Sequence, residues 1–311
     1  MKFRAAFEVG TSGSLVRVGR SGRASRSSLP FVFRHVLLTC LMIAHASAGP
    51  NPDAEFIDNG VVRLGIDRSA GGSIFHFGPS GGDEINLLNH YDKGRFIQQS
   101  YYGRPDGSLW AGKPWRWNPV QGGGYQGEPA ENVTITRDGD SLRIVSKPHH
   151  WATGEIITDA TMESLITLRG PVAEVVFTFR YTGEVNHPPH HQEMPAVFVD
   201  ANYPNMIFGA GGKTGWKMPG WPNERVDATD HWAGYVSGEG WGLGVAFPGT
   251  TELTCYRYEG DGRAGPTGSA CSYFAPVRTL AVTPGFELTY KVYLTVGTVE
   301  EIRARFADPE G

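Results

Sequence analysis

The sequence predicts an all-β protein, a large antiparallel β-sandwich with one short C-terminal helix. Three observations lead there. Runs rich in β-branched and aromatic residues alternate with turn signals every ten to fifteen residues, and 42 glycines and 21 prolines supply those turns. Several runs alternate apolar and polar residues, as in Glu174-Val-Val-Phe-Thr-Phe-Arg-Tyr181, the period of a half-buried strand. Only Val299–Phe306 has helical spacing, with Val299, Ile302 and Phe306 on one face and Glu300, Glu301, Arg303 and Arg305 on the other. Many short strands with almost no helix make a sandwich or barrel.

The chain begins with a segment that reads as separate from this fold. Residues 1–35 carry seven basic residues against the single acid Glu8. An apolar run follows from Val36 to Ala44, then Ala46-Ser47-Ala48. A basic stretch, a short apolar core and an A-x-A site form a secretory signal, so residues 1–48 are expected to direct export and to be removed. The protein is then secreted or periplasmic, and the apolar run is too short to span a membrane. Residues 49–311 form a single domain, with no linker, low-complexity tract or internal repeat. Without residues 1–48, totals of 28 basic and 32 acidic residues become 21 and 31, a net charge of −10. So acidic a surface excludes nucleic acid as a partner, because that needs basic patches.

Within the domain, strands are expected at Val61–Ile66, Ser73–Phe77, Ser141–Ser146, Ile156–Leu168, Ala173–Tyr181, Ala196–Val199, Gly242–Phe247, Leu280–Thr283 and Phe286–Val296. Two further strands, Thr251–Tyr258 and Ser269–Val277, flank the turn signal Gly260-Asp-Gly-Arg-Ala-Gly-Pro266 and should pair as a hairpin. That hairpin would bring Cys255 and Cys271 opposite each other, and export to an oxidising compartment would join them as a disulfide. The third cysteine, Cys40, lies in the signal segment. Asn132-Val-Thr134 is a glycosylation sequon that matters only in a eukaryotic secretory pathway.

The order of segments resembles the galactose-mutarotase-like β-supersandwich superfamily. Asn59-Gly-Val-Val-Arg-Leu-Gly-Ile66, Gly71-Gly-Ser-Ile74 and Asn86-Leu-Leu-Asn89 look like its first strands. Pro284-Gly-Phe-Glu-Leu-Thr-Tyr-Lys-Val-Tyr-Leu-Thr-Val-Gly297, followed by a short helix, looks like its last. The resemblance covers the whole of residues 49–311 and implies a sugar groove on one concave sheet, as in aldose 1-epimerases and the sheet domains of many glycosidases and polysaccharide lyases. The Asn-His-aromatic motif of the epimerases has no counterpart in the central position, since Asn89-His90-Tyr91 comes too early.

The chemistry concentrates in His187-Pro-Pro-His-His191-Gln-Glu193. Titratable side chains at the mouth of a strand need partners, and residues i and i+2 share a face, so His191 and Glu193 could converge on one substrate as catalytic groups. By ligand type His187, His191 and Glu193 would also suit a divalent metal, but the adjoining prolines disfavour it and no metal is assigned. Arg95 is a third catalytic candidate, a fork suited to a carboxylate or vicinal hydroxyls. It leads a polar stretch in which alternation groups Arg95, Ile97, Gln99 and Tyr101 on one face, and Gln99 and Tyr101 are read as substrate-binding. Trp115, Trp117, Trp151, Trp221 and Trp232 sit in Gly/Pro-rich surroundings where flat rings suit sugar faces. Asn118, Gln121 and His150 would bond hydroxyls. A glycosidase needs two carboxyl groups, and Glu224 is the preferred partner for Glu193, with Asp230 and Asp159 as alternatives.

The leading expectation is therefore a secreted glycoside hydrolase acting on a polysaccharide or oligosaccharide. Alternatives are a lyase acting on a uronic-acid glycan, with Arg95 neutralising the carboxylate, an aldose 1-epimerase-like sugar epimerase, and a non-catalytic glycan-binding protein. No nucleotide cofactor is expected, since there is neither a phosphate-binding Gly-Lys-Ser/Thr loop nor a strand–GxGxxG–helix unit.

Overall fold

The computed structural model describes residues 51–81, 85–130 and 133–307, which lie in one compact unit. The expected signal segment, Cys40 and the sequon residue Asn132 lie outside the described residues.

Strands β1 (Ala54–Asp58), β2 (Val62–Asp67) and β3 (Ser73–Pro79) form an antiparallel meander. A short 3₁₀ turn at Arg68–Ala70 links β2 to β3, and the Asp67 carboxylate accepts from the Ser69 amide at 2.8 Å to cap it. After a long loop come β4 (Ile97–Ser100), the hairpin strands β5 (Pro105–Trp110) and β6 (Lys113–Arg116), and β7 (Pro119–Val120). Then follow β8 (Thr134–Asp138), β9 (Ser141–Ser146), β10 (His149–His150), β11 (Ala160–Arg169), β12 (Val172–Tyr181) and β13 (His187–Asp200). The second half comprises β14 (Asn205–Ala210), β15 (Lys213–Lys217), β16 (Glu224–Asp227), β17 (Trp232–Val236), β18 (Trp241–Ala246), β19 (Glu252–Tyr258), β20 (Cys271–Val282) and β21 (Glu287–Thr298). The chain closes with α1 (Val299–Ala307).

One ten-stranded sheet runs β1-β2-β3-β4-β13-β20-β19-β16, with β7 and β10 attached beside β4. A nine-stranded sheet runs β15-β14-β17-β18-β21-β12-β11-β9-β8. The main core lies between them. Leu64, Ile97, Val197 and Phe274 from the first sheet meet Ile144, Ile166, Phe177 and Leu294 from the second. Period-2 alternation leaves the other face of each sheet free for different work. On the nine-stranded sheet that outer face receives α1, whose Val299, Ile302 and Phe306 pack with Ile207, Trp232 and Tyr293. Gly244 makes room for it, since a Cβ there would fall 2.4 Å from Ile302. Among the described residues no helix covers the outer face of the ten-stranded sheet, where the groove described below opens.

Three expectations are corrected. The strand expected from Ile156 begins at Ala160, the preceding residues forming a turn. The histidine-rich stretch lies within β13, although only Ala196–Val199 reads as strand. Cys255 and Cys271 are both free, buried thiols. The hairpin itself forms, but its register pairs Cys255 with Phe274 and Cys271 with Tyr258. An offset of three residues separates the two cysteines by about 10 Å along the strands and turns them to opposite faces, beyond disulfide reach. Among the described residues no helix is long and apolar enough to cross a membrane.

Candidate active site

A groove of ≈ 280 Å³ opens on the outer face of the ten-stranded sheet. Its floor comes from neighbouring strands: His190, His191 and Glu193 on β13, Val277 on β20 and Thr254 on β19. Arg225 on β16 closes one side. Tyr102, just beyond β4, and Trp115 and Arg116 on β6 form the other. The β5–β6 hairpin thus stands beside the sheet as a wall.

Glu193 is the one carboxylate among the residues lining this groove. The Tyr273 hydroxyl donates to its Oε1 at 2.6 Å, and the hydroxyls of Tyr102 and Ser100 also bond it. Burial raises the Glu193 carboxyl above its ordinary range, with the three hydroxyls pulling the other way. Each phenol is itself pushed well up by burial and stays protonated as a donor. A carboxyl so placed can take a proton from a substrate and return it.

Two arginine–histidine pairs flank the carboxyl. Arg116 Nη1 donates to His190 Nε2, leaving His190 Nδ1 toward the His191 carbonyl oxygen at 3.4 Å, so His190 is held as the neutral Nδ1–H tautomer. Arg225 Nη1 donates to His191 Nε2 at 3.2 Å and also pairs with Glu252. Burial first, and then the neighbouring guanidinium, lowers the basicity of both imidazoles. The site therefore offers two neutral histidines beside one carboxyl.

Aromatic walls complete the groove. Trp115 meets Trp110 edge-on at 4.7 Å. Beyond the groove lining, Trp221, 62% exposed, stands edge-on to Tyr256 at 4.9 Å, and Tyr256 stacks on Tyr273 at 4.3 Å. A continuous run of rings thus leads from Trp221 to Glu193.

Of the residues singled out in the sequence, the structure brings together His191, Glu193 and Trp115, with Trp221 at the end. The others lie elsewhere. Arg95 is buried, its fork donating to Asn89 Oδ1 at 2.9 Å and to the Ser269 carbonyl at 2.8 Å, so it ties two loops together. Glu224 turns away to Lys217 and the Gly220 amide. Gln99 and Tyr101 face between the sheets, where Gln99 donates to the Glu163 carbonyl at 3.0 Å and Tyr101 stacks on Phe179 at 4.0 Å. It is the opposite face of that segment, with Ser100 and Tyr102, that reaches the groove. Asn118 and Gln121 are buried and spend their amides on the Tyr101 and Gly71 carbonyls. His150 bonds Asp106 at 2.8 Å and anchors the β5–β6 hairpin. Trp151 packs over Gly94, and Trp232 belongs to the core under α1. Trp117 stacks on His187 at 3.9 Å, so His187 is buried away from His191 and Glu193, and those three do not converge as ligands. Among the described residues no group of three or more His, Cys, Asp or Glu is arranged to hold a metal ion.

Sequence reasoning missed Tyr102, Tyr273, Arg116, Arg225 and, as a separate contributor, His190. Tyr102 carried a signal, the alternation that places it opposite Tyr101. Tyr273 lies 80 residues from Glu193 and carried none.

Two large stacked antiparallel sheets, with a groove on the outer face of one, form a fold that is also seen in galactose mutarotase-like proteins. Solved structures of that kind superpose on most of the chain. A galactose mutarotase related enzyme from Lactobacillus acidophilus is 10% identical over 78% of this chain and 97% of its own, with a TM-score of 0.52. A protein described as a putative aldose 1-epimerase from Escherichia coli K12 is 12% identical over 79% and 99%, with a TM-score of 0.51. A galactose mutarotase-like protein from Lactobacillus casei is 11% identical over 78% and 99%, also at 0.51. No protein-family model and no curated protein matches the sequence. At these identities the likeness is one of fold.

Proposed function

We propose that this protein is a carbohydrate-active enzyme whose groove moves protons on a bound sugar, the aldose-epimerase type of reaction. The observation that carries this reading is Glu193, a carboxyl raised by burial, bonded by three hydroxyls and flanked by neutral imidazoles. Glu193 acts as base and then as acid, and the His191 Nδ1–H, its Nε2 being taken by Arg225, bonds the oxygen on which charge develops. The aromatic walls hold the ring by its apolar faces. The epimerases among the structural neighbours support the same reading. A glycoside hydrolase would need a second carboxyl across the groove. Glu224 is turned away, and the nearby Glu252 is engaged by Arg225, so the geometry favours a single carboxyl working with imidazole. Export remains part of the proposal on the strength of residues 1–48, and the two free thiols make no demand on an oxidising compartment.

The test is a time course of the purified protein with free aldoses and with a panel of polysaccharides. It follows anomer exchange by NMR, new reducing ends, and the ultraviolet absorbance of unsaturated sugars, with Glu193→Gln as control. Exchange that disappears in Glu193→Gln is the expected result. New reducing ends without absorbance would replace the proposal with a hydrolase, and both signals together with a lyase. Binding without any turnover would make the protein a glycan-binding module.

A further inference from the structure

Resting on the reading of the groove as a sugar site, we propose that the sugar it takes is acidic: a uronate, alone or in an oligosaccharide, with its carboxylate met by Arg116 and steered by Arg225.

The argument begins with charge. Residues 49–311 carry a net charge of −10, yet the groove lining holds two guanidinium groups and one carboxyl. That carboxyl is biased toward its neutral form by burial. A groove of opposite sign to the rest of the protein concentrates anions. Arg225 is partly neutralised by Glu252. Arg116 is not. Among the described residues its contacts are the His190 imidazole and the Trp115 ring, 6.0 Å from the guanidinium carbon, and no carboxylate lies within ion-pair distance. A guanidinium has five donors, and a neutral imidazole nitrogen can accept one. Among the described residues the rest of the Arg116 fork meets no acceptor.

Shape then selects the anion. A planar fork matches a planar carboxylate through two parallel hydrogen bonds. Trp115, the neighbour of Arg116 on β6, supplies a flat wall of the same groove, so a ring stacked there presents its carboxyl substituent near the fork. A sulfate ester also offers two oxygens to the fork, so a sulfated sugar is the competitor that the test must include. Of the two imidazoles, His190 sits beside the uncompensated Arg116, whereas His191 sits beside an Arg225 already paired with Glu252, which places the anion at the Arg116 side of the groove.

The test is calorimetric titration of the full chain with trigalacturonate and triglucuronate, with neutral trisaccharides of matching linkage, and with a sulfated trisaccharide, at low and high salt. The uronates should bind about tenfold or more tighter than their neutral counterparts, and lose that advantage in high salt. Arg116→Gln should bring uronates down to the affinity that the same variant shows for their neutral counterparts, and Arg116→Lys should restore part of the difference. Salt dependence needs no variant and so stands even if a variant melts early. Equal binding of neutral and acidic sugars, binding of the sulfated sugar alone, an unaltered preference in Arg116→Gln, or no uronate binding would each overturn the inference. Uronate binding without turnover of any sugar would leave it standing and unseat the enzyme reading. Turnover of neutral sugars with no uronate preference would do the reverse.

Discussion

Changing Tyr273 to Phe isolates the chemistry of Glu193 from its packing. The substitution removes one oxygen, the donor at 2.6 Å from Glu193 Oε1, and leaves the ring where it stacks on Tyr256 and meets Phe198 at 4.7 Å. A hydrogen bond to a charged group contributes about 1.5–3 kcal/mol, which corresponds to a factor of about 10–150 in rate if the charged form is the working base. Two hydroxyls remain, so the lower end is expected. The sign follows from the opposing influences on Glu193. Burial raises its carboxyl and the hydroxyls lower it, so losing Tyr273 moves it further above its ordinary 4.5. Activity that depends on the carboxylate should fall most at acid pH and recover as pH rises, shifting the acid limb of the profile upward. Stability follows the same linkage. A carboxyl raised in the folded state stabilises most when protonated, below its ordinary value, and that advantage is lost as pH rises through the folded value. The variant should therefore melt relatively better at pH 4 than at pH 7, compared with the parent. Anomer exchange measured from pH 4.5 to 9 beside melting curves checks both. Full activity at every pH, or a uniform loss with an unmoved acid limb, would refute the reasoning.

Three other outcomes are expected. Burial pushes the Cys255 thiol up to about 12 and Cys271 to about 11, so neither should react with a thiol reagent in the native protein, both should react after denaturation, and a reductant should leave the melting temperature unchanged; a mass 2 Da below the reduced chain would contradict this. Trp221→Ala removes an exposed ring and should leave melting unchanged while weakening oligosaccharide binding by about 0.5–1.5 kcal/mol, and equal binding in a titration would remove Trp221 from the site. Asp106→Asn weakens the tie to His150 that anchors the β5–β6 hairpin, so KM should rise more than kcat falls; a loss confined to kcat would instead place the pair in the chemistry.

The parts of the fold that were legible in the sequence are those governed by local periodicity. The alternation of Glu174–Tyr181 becomes β12, and the spacing of Val299, Ile302 and Phe306 becomes the packed face of α1. Parity also found half the site, because His191 and Glu193 share a face for the reason that any i, i+2 pair does. It failed where the strand had not yet begun. Alternation from Arg95 predicts a face shared with Gln99, but β4 starts at Ile97 and Phe96 has a φ of 81°, so Arg95 does not share that face. Hairpin pairing was legible while its register was not, and three residues of slip changed an expected disulfide into two thiols on opposite faces. Buried amides misled for another reason. Asn118 and Gln121 read as sugar ligands, but the Gly-rich chain around them has few ladder partners and satisfies its backbone with side chains.

Strand β13 explains why the site sits where it does. It is central, between β4 and β20, yet it contains Pro188, Pro189 and Pro195, which cannot donate to a ladder. Its pairing with β20 breaks between His187 and His190 and again between Glu193 and Val197, the two intervals that hold those prolines. Bulges re-aim side chains, and the regular stretch between the two breaks is His190–Glu193, the part that lines the groove. The prolines disrupt the ladder at either end of this segment, and inside it the ladder is kept, so the histidines and the carboxyl are presented from a paired and therefore rigid backbone. A local rule is violated twice within one strand, and a functional site is where such a conflict between local preference and fold is tolerated. In a chain where most strands merely alternate, the prolines of β13 are thus the sequence feature that best locates the groove, because they set where the strand is free to bend and bracket the three residues, His190, His191 and Glu193, that it holds out.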